Sequence, residues 1–138
     1  MIKFNIITLF PRLFVPFFSS PPLSKAIREG LVKANVIYLR DFAINKRGTV
    51  DGKPYGGGVG MLLRIEPVYQ ALSGIHPDLY PKDSNNLAKI GKIAKKDISI
   101  IALDPSGKVF TQKKAQELSC KRNITFICGR YEGMDERI

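Results

Sequence analysis

The sequence predicts an α/β fold, with a mostly parallel sheet and helices on both of its faces. Three observations carry this reading. Residues 2–8, 98–103 and 124–128 form short, near-continuous apolar runs rich in β-branched side chains, the pattern of buried strands. Segments with apolar residues at helical spacing lie between them. Turn-forming strings, Asp104-Pro105-Ser106-Gly107 and Cys128-Gly129, stand at the carboxyl ends of the last two runs. Strands alternating with helices build a parallel sheet, because each crossover needs a helix to cover a face.

The elements follow in order. Residues 2–8 read as a buried strand, ended by Phe10-Pro11. Ser20-Pro21 has the form of a helix N-cap with proline at the first helical position. Leu23, Ala26, Ile27 and Leu31 then follow at helical spacing. Residues 36–39 read as a second strand. Residues 41–64 have no clear period and contain a Gly-rich stretch. Pro67 opens a short helix with Val68, Ala71 and Leu72 on one face. Residues 74–96, with two prolines, Asp83-Ser84-Asn85-Asn86 and lysines at 89, 92, 95 and 96, read as a surface loop. Residues 98–103 suit a strand covered on both faces. Thr111 caps a helix that runs to about Cys120, with Ala115 and Leu118 facing inward, and residues 124–128 form the last strand. At Asp135-Glu136-Arg137-Ile138 a helix is expected to begin, so the chain is expected to stop inside an element.

The chain has 138 residues, 44% of them hydrophobic and 25% charged, which is the composition of a folded domain. Lys and Arg number 22 against 12 acidic residues, a net charge of +10. Such a surplus in a small domain points to a polyanion, RNA or DNA before anionic lipid. No apolar run approaches the roughly 20 residues of a membrane span, and the opening residues lack the features of a signal peptide. Two cysteines and one histidine exclude a four-ligand structural zinc site and a disulfide framework. A reduced cytoplasmic protein without a metal is expected. Cys120 and Cys128 are expected as buried small hydrophobes, and His76 as a loop residue.

Three strings can carry chemistry. In Lys53-Pro54-Tyr55-Gly56-Gly57-Gly58-Val59-Gly60-Met61, four glycines in five residues put backbone where side chains cannot fit or where φ must be positive. The string is neither a dinucleotide fingerprint, since Met61 stands at the third glycine position, nor a Walker loop, since no Gly-Lys-Ser/Thr follows. It is a ligand-binding loop or a mobile linker. The other two, Leu103-Asp104-Pro105-Ser106-Gly107 and Cys128-Gly129-Arg130-Tyr131-Glu132-Gly133, follow buried strands, where open α/β sheets bind their ligands. They line one pocket, with Arg130 as cation, Tyr131 as flat surface and Glu132 as carboxylate, or they are ordinary turns with Arg130 and Glu132 as a surface ion pair.

The strings Tyr55 to Met61 and Cys128-Gly129-Arg130-Tyr131-Glu132-Gly133-Met134-Asp135-Glu136-Arg137 together resemble the bacterial tRNA (guanine-N1)-methyltransferase family. Ile7-Thr8-Leu9-Phe10-Pro11, Arg40-Asp41-Phe42 and Thr49-Val50-Asp51 extend the likeness over nearly the whole chain. The resemblance implies a trefoil-knotted domain of the SPOUT class that works as a homodimer. It implies transfer of a methyl group from S-adenosylmethionine to N1 of the guanine 3′ to the anticodon of tRNA. Leu103, Pro105, Gly107, Cys128, Gly129, Arg130, Tyr131 and Glu132 would hold the cofactor. Tyr55, Gly56, Gly57, Gly58 and Gly60 would lie near the target guanine. Residues 1–138 would be the N-terminal part of the S-adenosylmethionine domain. The third cofactor loop, the base and a C-terminal tRNA-binding domain would all lie beyond Ile138.

The departures from the family pattern are Val59 for a usual proline, Gly52 for a usual acid, and Asp104 for a usual small hydroxyl residue. The stretch 74–96 is also longer than in many relatives. Two other functions compete with this one. A basic RNA-binding module of the same fold would have lost the chemistry and need not bind S-adenosylmethionine. A nucleotide-phosphate enzyme built on the Gly-rich loop lacks the lysine–hydroxyl signature.

Overall fold

Residues 1–54, 56–82 and 97–138 are described in the computed structural model. Strand β1 spans Ile2–Thr8. After it the chain makes a 3₁₀ turn at Pro11–Leu13 and a short helix α1, Phe14–Ser19, which hydrophobic spacing had not revealed. Pro11 supplies a pre-set φ at the turn, and Pro16 falls in the first turn of α1, where its missing N–H goes unused. Phe14 stacks on Phe18 and Phe17 meets Phe18 edge-on. Ser20 does not cap the next helix. Its hydroxyl donates back to the Pro16 carbonyl, and α2, Leu23–Arg28, starts from Pro22 instead. Gly30 at φ +69° ends that turn, so Leu31 leaves the expected apolar face and is exposed. Strand β2, Val32–Tyr38, begins four residues before the expected start, and Leu39 passes into a 3₁₀ turn, Leu39–Phe42.

The Gly-rich region is framed by two short strands, β3 at Asp51–Gly52 and β4 at Leu62–Leu63. Helix α3, Ile65–Ile75, starts two residues before the expected Pro67 and buries Val68, Ala71 and Leu72 as the spacing predicts. It runs past the expected loop start at 74. His76, expected in a loop, is buried at its C-cap. The Tyr69 hydroxyl then donates to the Pro81 carbonyl, and its ring meets Tyr80 edge-on. The rest of that expected loop, with its lysines, lies outside the described residues. Strand β5 is Ile98–Leu103. Helix α4, Gln112–Ser119, is capped by Thr111, whose Oγ1 accepts the Lys114 N–H. Leu118 is buried and Ala115 half-buried. Strand β6 is Asn123–Cys128. No helix begins at Asp135; the segment closes a turn through Ile138 N–H to the Asp135 carbonyl.

Two compact units result. The first holds the described residues of Met1–Ile37 and Lys95–Cys128. Its sheet has the order β2-β1-β6-β5, with β6 parallel to both β1 and β5. Ile6, Ile7, Ile124 and Ile127 form its buried centre. The expectation of cover on both faces fails for β5, whose residues are half-buried at first and exposed at its end; the strand also lies at the edge of the described sheet. Inside the centre Asn5 is fully buried, and its amide donates to Asn123 Oδ1 at 2.8 Å and Thr125 Oγ1 at 3.2 Å. The cysteines are not core residues: Cys120 is exposed and Cys128 half-buried, and burial pushes the Cys128 thiol pKa up. The second unit, the described residues of Tyr38–Ala94 and Gly129–Ile138, packs Leu39, Val50, Leu63, Val68 and Ala71 as its core.

Candidate functional site

The register of β5 and β6 sets the geometry. Leu103 and Cys128, the last residues of two adjacent parallel strands, are paired. The two Gly-containing turns therefore leave the sheet from neighbouring positions at the carboxyl edge, the usual ligand side of an open α/β sheet. In the first turn Asp104 Oδ1 accepts from the Ser106 N–H and hydroxyl. Those bonds, side-chain first, hold the Asp104 carboxyl below its ordinary pKa. The departure from a small hydroxyl residue thus leaves the acid serving its own turn as an Asx motif. The turn closes with Gly107 N–H on the Asp104 carbonyl. A side chain at Gly107 would begin 2.9 Å from that oxygen. Leu103, Pro105 and Gly107 are exposed.

The second turn continues into the other unit. Gly129, Arg130, Tyr131 and Glu132 are exposed, and Tyr131 adopts φ +69°, an uncommon conformation for a residue with a side chain. Glu132 follows it and faces the Gly-rich loop. Its Oε2 accepts the Met61 N–H at 2.7 Å, and its own N–H donates to the Met61 carbonyl at 3.2 Å.

Residues 53–61 connect β3 and β4, which pair antiparallel. Within them Gly56, Gly57 and Gly58 all have positive φ with nothing near the place of a Cβ. Glycine is required there by backbone conformation and not by crowding. Gly60 is different, since a Cβ there would lie 2.6 Å from the Glu132 carboxyl carbon. Tyr55 lies outside the described residues. Beyond the loop, Leu63 N–H donates to the Gly133 carbonyl and Asp135 N–H to the Leu63 carbonyl.

Beside that crossing is a cleft of about 490 Å³, lined among others by Lys53, Arg64, Glu66, Asp135 and Arg137. Arg64 grips Glu66 through Nε and Nη2, at 3.1 and 2.9 Å, and Arg137 grips Asp135 in the same bidentate way, at 2.8 and 2.6 Å. The Arg64 guanidinium keeps the Glu66 carboxyl below its usual pKa, and Arg137 holds Asp135 at about 2. Sequence spacing did not identify these pairs, because partners two residues apart in turns leave no periodic signal. Asp135 ordinarily titrates at 3.8. Its lowered folded pKa means its stabilisation is present above that value and lost as pH falls toward about 2. Asp135→Asn is expected to remove that acid-dependent loss, modestly because Arg137 is half exposed. Denaturant midpoints of both proteins between pH 5 and 2 check this.

Among the described residues no group of three or more His, Cys, Asp or Glu is placed to hold a metal ion. No described helix is long and apolar enough to cross a membrane.

Comparison with known proteins completes the site. Residues 2–138 match the family described as tRNA (Guanine-1)-methyltransferase TrmD. A protein of Enterococcus faecalis named tRNA (guanine-N(1)-)-methyltransferase is 42% identical over 136 residues, which cover 99% of this chain and 50% of the relative. A Dictyoglomus turgidum protein of the same name is 41% identical over 138 residues, covering 100% and 49%. The crystal structure of tRNA (m1G37) methyltransferase from Aquifex aeolicus matches with a TM-score of 0.75 and 36% identity, over 99% of this chain and 54% of that one. The chain spans about half the length of the curated relatives it matches. The α/β fold with a mostly parallel sheet is thus the one the sequence predicts, of the SPOUT type.

Proposed function

The chain belongs to the tRNA (guanine-1)-methyltransferase family, and on that premise we propose that its protein transfers a methyl group from S-adenosylmethionine to N1 of the guanine 3′ to the anticodon. The observation that carries this reading is the paired ending of β5 and β6 at Leu103 and Cys128. It starts the two turns that match the family's cofactor loops from adjacent strands.

The residues present suit such a donor. In the first turn Leu103 and Pro105 are exposed, and in the second Tyr131 is exposed; by the family resemblance these are the residues that would meet the donor. Gly107 and Gly129 put no side chain in the way of a ligand. Arg130 and Glu132 carry charges opposite to the donor's carboxylate and ammonium. Bound S-adenosylmethionine supplies an electrophilic methyl on a sulfonium. The chain's own part is to align the reactants and stabilise moving charge. Guanine N1 holds a proton at neutral pH, so a carboxylate base is useful. Glu132 is not assigned that task, because its Oε2 is engaged by the Met61 amide; the family resemblance sets the base beyond Ile138.

The Gly56–Gly58 run and Gly60, with Tyr55, are proposed to lie against the target guanine. The +10 charge supports tRNA as partner, with affinity that falls as salt rises. Two copies are proposed to pair as a homodimer, and exposed Leu13, Val15 and Phe17 support an apolar contact. Work on tRNA sets the protein in the cytoplasm.

Incubation with S-adenosylmethionine and tRNA transcripts carrying guanine or adenine 3′ to the anticodon, followed by nucleoside mass spectrometry, tests the reading. 1-Methylguanosine in the first transcript only is expected. Methylation elsewhere overturns the proposed acceptor. RNA binding without any methylation, by the chain and by a longer protein containing it, favours the non-enzymatic module.

A further inference from the structure

We propose that Glu132 is a positioning residue: its carboxylate, seated against Gly60, clamps the exit of the Gly-rich loop to the 129–133 turn, so that the two loops move as one body. The assignment of one loop to guanine and the other to the methyl donor rests on the reading above; the clamp itself does not.

Four observations meet at this point. Met61 and Glu132 exchange two hydrogen bonds, amide to carboxylate at 2.7 Å and amide to carbonyl at 3.2 Å. The first is charge-assisted, the stronger class. Gly60 leaves room for the carboxylate, since a Cβ would stand 2.6 Å from its carbon and 2.8 Å from Oε2. Gly60 also sits at φ +104°, which disfavours any side chain. Tyr131 at φ +69° turns the chain immediately before Glu132. The neighbouring ladder through Leu63, Gly133 and Asp135 is backbone only, and many residues would make it equally well. Met61–Glu132 is where a specific side chain is needed. The glycine at 60 and the glutamate at 132, 72 positions apart in sequence, are thus two halves of one device.

The arrangement has a functional consequence. Freed of the clamp, the three preceding glycines have no side chains with which to order the loop, and glycine loses the most entropy on ordering. Glu132 therefore sets the order of the substrate loop from the donor loop, and filling one side favours the other through the same contact.

Amide hydrogen exchange on the 138-residue chain tests the clamp without any ligand. In Glu132→Ala and in Gly60→Ala the Met61 amide is expected to exchange at least about tenfold faster than in the parent, the loss of one charge-assisted bond. In Glu132→Gln, whose Oε1 accepts the same N–H without the charge, the rate is expected to lie between those of the parent and Glu132→Ala. Amides of β6 are expected unchanged in all three. An unchanged Met61 rate in folded Glu132→Ala overturns the proposal. Should that variant fail to fold, equal Met61 rates in Gly60→Ala and Glu132→Gln overturn it instead. Titration with S-adenosylmethionine separates the two claims: a protected Met61 amide with no cofactor binding, by the chain and by a longer protein that contains it, sinks the functional reading and leaves the clamp.

Discussion

Asn5→Asp is expected to destabilise the first unit by roughly 3 kcal/mol at neutral pH, the cost of burying a carboxylate against the Asn123 oxygen. The change is nearly isosteric, so packing is not the cause. Asn5 is fully buried and uses both amide protons, on Asn123 Oδ1 and Thr125 Oγ1. A carboxylate has no proton to give and sets its oxygen against that of Asn123. Burial raises the folded pKa of the introduced carboxyl above its unfolded value. The penalty is therefore largest above the folded pKa and shrinks as pH falls and the group protonates. Denaturant unfolding at pH 7 and pH 4.5 checks both size and sign. A loss near zero at pH 7 would mean that these bonds are not formed.

Ile127→Ala is expected to cost about 3 kcal/mol, within the range for aliphatic truncation in a closed core. Ile127 is 1% exposed, in the central strand of the three whose parallel pairings are described, and it pairs with Ile7 and Ala102. The cavity lies one residue before Cys128, so methyl-donor binding is expected to weaken along with stability. Val at this position keeps most of the volume and is expected to lose about 1 kcal/mol. Equal losses for Val and Ala would contradict a close-packed core here.

The sheet was legible in the sequence because its centre is built of runs that only a buried strand explains, as at 2–8 and 124–128. The edge position of β5 was not, because apolar runs report cover by any neighbour and not where the strand sits. Ser20 misled for a local reason: a hydroxyl beside proline caps a following helix or closes a preceding one equally well, and here its hydroxyl bonds Pro16. Helix α1 was hidden by two prolines in an aromatic run. In the candidate site the loops and their glycines were visible as strings. The partner of Glu132 was not, since Met61 contributes only its backbone N–H and carbonyl, which carry no sequence signal. The Arg64–Glu66 and Arg137–Asp135 pairs were hidden for the related reason that their spacing fits no regular element.

Calorimetric titration with S-adenosylmethionine tests whether the turns after β5 and β6 hold a methyl donor. Saturable binding with a Kd of about micromolar order is expected, weakened at least about tenfold by Arg130→Ala, which removes the cation proposed for the donor's carboxylate. The absence of saturable binding, both in the folded 138-residue chain and in a longer protein that contains it, would rule out a donor site at these turns.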